Sequence, residues 1–194
     1  MKKQLGPSNA LFPVPAVLVV SNADEKPNII TVAGIAIVSS TPLTLGITVS
    51  KSRYSLELIR KSKEFTVNIP SAALFKEVDY CGITTGRKVD KFADTGLTPI
   101  KSVKINTPII KECPYNIECR LVQEIDLGEW EFLLGEILET HIDDDKYDLS
   151  QKAHIDISKV DPLVYCAKAR EYWNMGTKIG TGFSAGKDIT KTSG

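Results

Sequence analysis

The residues best suited to chemistry lie in segment 80–92, which reads YCGITTGRKVDKF. This segment combines two glycines, two adjacent threonines and three basic side chains. Glycine lets the backbone turn sharply and come close to a ligand, while hydroxyl and N–H groups bind carbonyl or phosphate oxygens. On turn chemistry alone, a solvated connecting loop explains the same composition. The interpretation of this segment therefore depends on the rest of the chain.

A second segment, SKSRYS at residues 50–55, combines hydroxyl groups with a cation where a strand is predicted to lead into a helix. A helix N-terminus offers unpaired N–H groups and a favourable dipole, and a phosphate ester needs hydroxyl donors and a cation in addition. Ser52 is the predicted N-cap of this helix. Ordinary capping explains the same residues, so the residues alone leave both interpretations open.

Several functional classes are excluded by what the sequence lacks. It contains no Ser/His/Asp set, no G-x-x-x-x-G-K-[ST] loop and no G-x-G-x-x-G after a strand, so we expect no dedicated dinucleotide-binding domain. We also name no catalytic side chain. Only two histidines are present and the four cysteines form no C-x-x-C pair, so no metal site is expected. A small buried role for Cys81 is favoured over a redox thiol beside a cofactor.

Charge and hydropathy limit the binding partners and the cellular compartment that we expect for this protein. The chain has 24 basic and 24 acidic residues, and this balance gives no basic footprint for nucleic acid. No apolar run approaches the ~20 residues of a membrane span. The N-terminus does not resemble a signal peptide, so we expect a cytoplasmic protein with reduced thiols.

The elements that position these segments are predicted to be mostly strands. Runs rich in β-branched residues predict strands at 16–20, 28–38 (with Gly34 as a bulge), 43–49, 64–69, 116–125, 130–142 and 163–167. Helices are predicted from Ser52 through Ile59 and over 72–80, and Asp126 to Glu129 predicts a hairpin turn. Many short strands with few helices favour a closed antiparallel barrel over an α/β fold. We assign residues 1–173 to one domain and 174–194 to a tail, or to an arm that embraces a second subunit.

Four segments together resemble a known family. CGITTGRKVDKF is similar to the CG..SG...DKF signature of the flavin reductase-like proteins, in the flavoredoxin branch of the FMN-binding split barrels. Residues 28–36 resemble the strand that follows the first hairpin, residues 50–55 the R-x-[ST] turn, and residues 65–69 the F-V-N strand. The resemblance extends from about residue 11 to residue 172. It implies a mainly β fold, an antiparallel Greek-key split β-barrel with a few peripheral helices.

The resemblance also implies which residues contact FMN. The phosphate would lie at the strand-to-helix turn, on Ser50, Arg53 and Ser55. The isoalloxazine would lie against the backbone and small side chains of the strand Ile30, Thr31, Val32 and Ala33. Donors to flavin oxygens or phosphate would come from Thr84, Thr85 and Gly86, and a positive charge near the pyrimidine side of the ring from Lys91.

Two aromatic residues complete this set. Trp130 stands where relatives commonly carry histidine, so stacking or packing replaces titration at that position. Tyr172 covers the flavin or seals a subunit interface in this interpretation, and core packing is an equal alternative. Thr85 stands where family proteins usually carry serine, which keeps the hydroxyl group.

The implied function is an FMN-binding oxidoreductase and a homodimer. It would pass reducing equivalents from NAD(P)H or a protein donor to a flavin, ferric iron or a redox protein. NAD(P)H would dock transiently, since no dinucleotide-binding domain is predicted. The alternative is a non-catalytic flavin or haem binder that senses, stores or relays electrons. A pyridoxamine-phosphate-oxidase-like activity fits segment 80–92 less well.

Overall fold

The computed structural model describes residues 1–23, 26–150 and 154–188. Its strands are β1 (Val14–Pro15), β2 (Val17–Ser21), β3 (Asn28–Val32), β4 (Ile35–Ser40), β5 (Leu43–Ser50), β6 (Glu64–Ile69), β7 (Pro99–Ile100), β8 (Ile109–Ile110), β9 (Tyr115–Asp126), β10 (Trp130–Ile142), β11 (Val164–Cys166) and β12 (Glu171–Trp173). The α-helices are α1 (Tyr54–Ser62), α2 (Phe75–Ile83), α3 (Lys91–Thr95) and α4 (Ile157–Val160). Short 3₁₀ turns occupy Ala72–Leu74, Asp144–Lys146 and Ala185–Asp188. None of the helices in these ranges is long and apolar enough to cross a membrane.

Seven strands form one antiparallel sheet in the order β3-β2-β6-β9-β10-β5-β4. The strands β3 and β4 lie at opposite edges of this sheet, although only Ala33 and Gly34 separate them in the chain. Three residue steps span at most about 11 Å, so the sheet curls until its two edges meet here. The Thr48 N–H donates to the Gly34 carbonyl (2.8 Å) at this point. The predicted mainly β split barrel is therefore confirmed.

Gly34 marks a corner and not a bulge in one long strand, so the prediction of a single strand over 28–38 is wrong. A Cβ atom at residue 34 would overlap the hydroxyl of Thr48. The absence of that atom lets the chain cross from one edge of the sheet to the other. Periodicity along 28–38 does not reveal the corner, because both strands are rich in β-branched residues.

Two apolar clusters lie on opposite sides of β2 and β3. The barrel interior holds Ile30 and Val32 from β3, together with Val17, Val19, Leu45, Ile47, Val49, Leu56, Ile59, Phe65, Val67, Ile117, Cys119, Leu121 and Leu133. The second cluster lies beneath α2 and α3 and holds Ile29 from β3, together with Ala16, Leu18, Val20, Val78, Cys81, Phe92, Leu97, Ile110, Cys113 and Leu163. Each fully buried aliphatic or aromatic side chain contributes about 1.5–3 kcal/mol. Strand β3 is thus held from both sides.

The remaining elements test the other sequence predictions. The hairpin is confirmed, since β9 and β10 pair and the Asp126 carboxylate accepts a hydrogen bond from the Gly128 N–H (2.7 Å). Helix α2 continues to Ile83, so the first residues of segment 80–92 are helical. The strand predicted at 163–167 belongs to a separate sheet of order β1-β11-β12 and not to the barrel. The domain boundary at residue 173 stays a prediction, and residues 189–194 of the predicted tail lie outside the described residues.

Candidate functional site

Residues from four elements meet around one small cavity of about 100 Å³. Strand β3, the start of α1, the loop after α2 and the start of α3 all contribute to its lining. The cavity is lined by Asn28, Ile30, Ser52, Arg53, Tyr54, Ser55, Thr84, Thr85, Gly86 and Lys91. Segments 50–55 and 80–92, which are distant in the sequence, are therefore brought together by the fold.

The cavity is electropositive. Among the described residues, its lining includes two cations, Arg53 and Lys91, and no carboxylate. The Arg53 guanidinium forms no hydrogen bond or ion pair within the described part of the chain. Lys91 is 4% exposed and donates to the carbonyl oxygens of Ile29 (2.7 Å) and Cys81 (2.8 Å). Burial lowers the pKa of Lys91 to about 8, and the positive charge of Arg53 also lowers it. An anion placed between the two cations would relieve this repulsion.

The N-terminus of α1 adds free N–H donors to the cavity. Arg53 is the N-cap residue, with extended backbone angles and no side-chain capping hydrogen bond. The prediction that Ser52 caps this helix is wrong, because the helix begins one residue later and the Ser52 hydroxyl lies 3.0 Å from that of Ser50. The first N–H groups of α1 are therefore available to a ligand. This favours the anion-binding interpretation of segment 50–55 over ordinary capping.

Asn28 and Gly86 form the wall between β3 and the loop after α2. The Asn28 side-chain amide donates to the Ser55 hydroxyl (2.7 Å), and both residues are buried. A Cβ atom at residue 86 would overlap the Asn28 amide, so glycine is needed for this close approach. No role for Asn28 follows from the sequence. The available signal is a polar residue that opens an otherwise apolar strand.

Strand β3 presents a free backbone edge beside the cavity. The side chains of Ile30 and Val32 point into the barrel, and the Thr31 hydroxyl donates to the Val78 carbonyl of α2. The Ile29 carbonyl accepts from Lys91, so it faces away from β2. Because N–H and C=O groups alternate in direction along an antiparallel strand, Thr31 also presents its backbone to this open edge. The predicted backbone contacts of Ile30, Thr31, Val32 and Ala33 with a planar ring stay a prediction. The open edge is present at Thr31, whereas the backbone groups of Ile30 and Val32 face β2.

Besides Thr31, Val32 and Ala33 of the β3 segment, three further predicted site residues do not line the cavity. The Ser50 hydroxyl contacts the hydroxyl of Ser52, which does line the cavity. Trp130 pairs with Ser50 across β5 and β10, and its side chain is half exposed. Tyr172 lies in a different groove along α2, where its hydroxyl donates to Asp79 (3.2 Å) and its ring is 5.1 Å from that of Tyr165. Contacts of Ser50, Trp130 and Tyr172 with a cofactor stay predictions.

Cys81 is buried at the end of α2 and is poorly suited to redox chemistry. Burial raises the pKa of its thiol to about 11, which keeps the group protonated at neutral pH. Its backbone carbonyl, by contrast, accepts a hydrogen bond from Lys91. The packing role favoured from the sequence agrees with this environment.

The chain is similar in sequence and in fold to proteins of one known family. The family model for the flavin reductase like domain matches residues 9–174. The flavoredoxin of Desulfovibrio vulgaris (Miyazaki F) is 34% identical, with a TM-score of 0.90 over 96% of this chain and 100% of that chain. The flavoredoxin from Methanosarcina acetivorans is 31% identical, with a TM-score of 0.87 over 98% of this chain and 100% of that chain.

A more distant structure agrees in fold alone. A protein with a split barrel domain from Shewanella frigidimarina NCIMB 400 is 21% identical. Its TM-score is 0.79 over 88% of this chain and 85% of that chain. The curled seven-stranded sheet is thus shared with split-barrel proteins.

Proposed function

The chain belongs to the flavin reductase-like family, and from this premise we propose that it is an FMN-binding oxidoreductase. Family membership and the two flavoredoxin neighbours support flavin binding and a flavin-related redox function. The observation that supports the choice of FMN is the cavity between Arg53, Lys91 and the start of α1, whose lining holds no carboxylate from the part of the chain that the structure describes.

The residues present fit the phosphate of FMN. A cavity of about 100 Å³ suits a phosphate group. Arg53 supplies a guanidinium that pairs well with phosphate oxygens, and Lys91 supplies a second charge. Hydroxyl groups of Ser55 and Thr85 and the free N–H groups of α1 supply further donors. Riboflavin lacks the phosphate and would gain nothing from these groups.

The flavin ring would then extend along the free edge of β3. Ala33 lies three residue steps from Ile30, which lines the cavity, a distance of about 10 Å along a strand. Backbone N–H and C=O groups at this edge can bond the polar rim of a flat ring. Because Lys91 lies with Arg53 at the phosphate end, we propose that its charge acts on the phosphate, in place of the predicted position near the pyrimidine.

Bound FMN would supply the redox chemistry, taking reducing equivalents from NAD(P)H or a protein donor and passing them to a flavin, ferric iron or a redox protein. The residues of the chain bind and orient the cofactor. No side chain is assigned a proton-transfer role, because hydride and electron transfer require none.

The experiment is reconstitution followed by reduction. The purified protein, incubated with FMN and desalted, should remain yellow and release FMN on denaturation. NADH or NADPH should then bleach the bound flavin without oxygen, and added free flavin or ferric iron should give steady oxidation of the nicotinamide. A colourless protein that also fails to quench FMN fluorescence would rule the proposal out.

The likeness to flavoredoxins favours one second candidate, an electron relay. In that case the bound flavin would stay oxidised under both nicotinamides but accept electrons from a reduced redox protein. The same anaerobic titration therefore separates the enzyme from the relay.

We further propose that the chain forms a homodimer through the outer face of β4, β5 and β10. The ring of Phe132 and a methyl group of Val38 cover Gly46 on this face, and Ile125 pairs with Phe132 on the adjacent strand. Val38 is 45% and Ile125 37% exposed, so the face presents apolar surface to solvent. Light scattering should give the mass of two chains for the wild type and for a Leu149→Asp control. A Val38→Asp variant should give the mass of one chain, and a monomeric wild type would contradict the proposal.

The cysteines support a reducing compartment. Cys81, Cys113, Cys119 and Cys166 are all free, and the first three are buried. We propose a cytoplasmic location on this basis. Recovery of the protein from a periplasmic or extracellular fraction, with oxidised thiols, would contradict it.

A further inference from the structure

The groove along α2 that contains Tyr172 has a volume of about 460 Å³. Helix α2 contributes Phe75, Lys76, Asp79, Tyr80 and Ile83 to its lining, and the hairpin of β11 and β12 contributes Arg170 and Tyr172. Phe75 is 44% and Ile83 74% exposed, so apolar surface is open to a ligand. No residue of this lining also lines the small cavity between Arg53 and Lys91. The α2 groove is therefore a separate candidate site, within the ~300–1,000 Å³ typical of sites for small molecules.

Two tyrosine rings form fixed walls of the α2 groove. The Tyr80 hydroxyl donates to the Asp94 carboxylate (2.5 Å), and the Tyr172 hydroxyl donates to Asp79 (3.2 Å). The Tyr172 ring also packs 5.1 Å from that of Tyr165. Because both hydroxyls are already engaged, these tyrosines offer the groove their ring surfaces and not their O–H donors. Aromatic ligands pack well against such rings, in offset-stacked or edge-to-face arrangements.

The α2 groove also presents two cations that lack an acidic partner. Neither Lys76 nor Arg170 forms an ion pair within residues 1–23, 26–150 and 154–188. Asp79 is the one carboxylate that the described residues add to the lining, and it already accepts the Tyr172 hydroxyl. The Lys76 ammonium lies 5.9 Å from the centroid of the Phe75 ring. The groove thus combines aromatic walls with positive charge that is available to an anion.

Arg170 supplies its cation from a strained backbone position. Its φ angle is +58°, and its N–H closes the turn between β11 and β12 by donating to the Cys166 carbonyl (2.8 Å). Glycine adopts this left-handed conformation without strain, whereas a residue with a Cβ atom does not. A strained residue that also provides an unpaired cation to a groove indicates a binding role for its side chain.

We infer that the α2 groove binds an aromatic carboxylate. Its flat ring would lie against the side chains of Phe75, Tyr80, Ile83 and Tyr172. Its carboxylate would accept paired hydrogen bonds from the Arg170 guanidinium. A neutral aromatic molecule would leave this cation unpaired, and a small anion such as acetate would leave the apolar walls in water. Because this groove and the small cavity share no lining residue, the carboxylate and FMN should bind independently.

The first measurement is calorimetry of the full-length protein with 2-naphthoate. The comparison probes are 2-naphthamide, which has the same rings without the charge, and acetate, which has the charge without the rings. We expect 2-naphthoate to bind about tenfold more tightly than 2-naphthamide, and acetate to give no detectable heat. The affinity for 2-naphthoate should be the same with and without saturating FMN. Equal affinities for the two naphthalene probes, or displacement of 2-naphthoate by FMN, would overturn the inference.

The second measurement tests the cation with a control matched in backbone conformation. Arg170→Gly should lower the 2-naphthoate affinity about tenfold and leave the 2-naphthamide affinity unchanged. Its melting temperature should stay within about 2 °C of the wild type, because glycine keeps the left-handed turn. Lys63→Gly is the control, since Lys63 is a cation with a φ of +60° at the end of α1, outside the groove lining. Unchanged 2-naphthoate affinity in Arg170→Gly, or an equal loss in Lys63→Gly, would contradict the inference.

A second copy of this chain is the competing occupant of the α2 groove. Ile83→Asp places a charge on the exposed apolar wall, so the 2-naphthoate affinity should fall while light scattering gives the same mass as for the wild type. A wild type that binds no 2-naphthoate would overturn the inference. A halved mass for Ile83→Asp would also overturn it and assign the groove to contact between two copies.

Discussion

Two clusters of polar groups in this molecule differ in whether their hydrogen-bonding capacity is used. The first is centred on Asn68 of β6, whose amide donates to the Leu18 carbonyl (3.1 Å) and the Thr66 hydroxyl (3.0 Å). Its oxygen accepts from the Ile110 N–H (2.9 Å) and the Asn116 amide (2.8 Å). Every donor and acceptor of the Asn68 side chain is therefore satisfied within the protein.

The second cluster, around Arg53 and Lys91, is incomplete. Two cations face a shared cavity to which no carboxylate of residues 1–23, 26–150 and 154–188 contributes, and the first turn of α1 lacks a side-chain cap. The contrast indicates that the first cluster holds β2, β6 and β9 together, whereas the second retains charge and donors for a ligand. The difference between them can be tested by separating effects on stability from effects on FMN affinity.

The largest expected effect is on stability, at the first cluster, around Asn68. Asn68→Ala leaves four buried partner groups unpaired or paired less well, so we expect a loss of about 3 kcal/mol in the free energy of unfolding. Urea denaturation followed by circular dichroism measures this loss, with the exposed Asn106→Ala as a control. The folded variant should bind FMN with unchanged affinity. A weakened FMN affinity with unchanged stability would reverse the assignment of the two clusters.

At the second cluster, Arg53→Ala should lower FMN affinity and leave stability nearly unchanged. We expect FMN affinity to fall about 30-fold, the size of a lost charge-assisted hydrogen bond of about 2 kcal/mol, and riboflavin affinity to remain unchanged. Stability should change by less than about 0.5 kcal/mol, because the exposed side chain has no partner among the described residues. Arg120→Ala, on the outer surface of β9, is the matched control. An equal loss for riboflavin would place the phosphate elsewhere.

Substitution of two glycines tests the wall that Asn28 and Gly86 form in the second cluster. Gly86→Ala should displace Asn28, weaken its hydrogen bond to Ser55 and lower FMN affinity about tenfold, or about 1.4 kcal/mol. Gly82→Ala is the control, since its new methyl group would meet Thr31 at an ordinary 3.4 Å and favour the helix. Fluorescence titration of both variants measures the effect. Equal affinities would show that the approach of Gly86 to β3 does not shape the site.

The smallest expected effect is the pH dependence of Lys91. Its pKa in the folded protein is about 8, below the ordinary value of 10.5, so the unfolded chain binds the extra proton between these values. The contribution of this group to stability therefore rises as pH increases from about 8 to 10.5. In the folded protein its charge toward the phosphate is lost as pH rises through about 8, and FMN affinity should fall roughly fivefold, or about 1 kcal/mol. In Lys91→Met both trends should disappear, and a persisting pH dependence of FMN affinity would assign it to another group.

The sequence predicts the barrel and much of the site because both depend on local patterns. β-Branched runs identify most strands, and the family resemblance carried by segments 28–36, 50–55 and 80–92 implies residues that meet around the small cavity, among them Arg53, Thr85 and Lys91. The corner at Gly34 is not predictable in this way, because it depends on where the curled sheet closes. Asn28 was missed because its role arises only when Gly86 approaches β3. Tyr172 was assigned from its aromatic character, which does not distinguish the groove along α2 from the cavity.

The bond from Lys91 to the Ile29 carbonyl has a consequence for solubility. An unpaired strand at the margin of a sheet is a template on which strands of other molecules assemble. The lysine ammonium occupies one of the acceptors that such an intruding strand requires, and its charge opposes the approach of a second copy. The protein can therefore keep this margin accessible to a small planar molecule while discouraging fibrillar association.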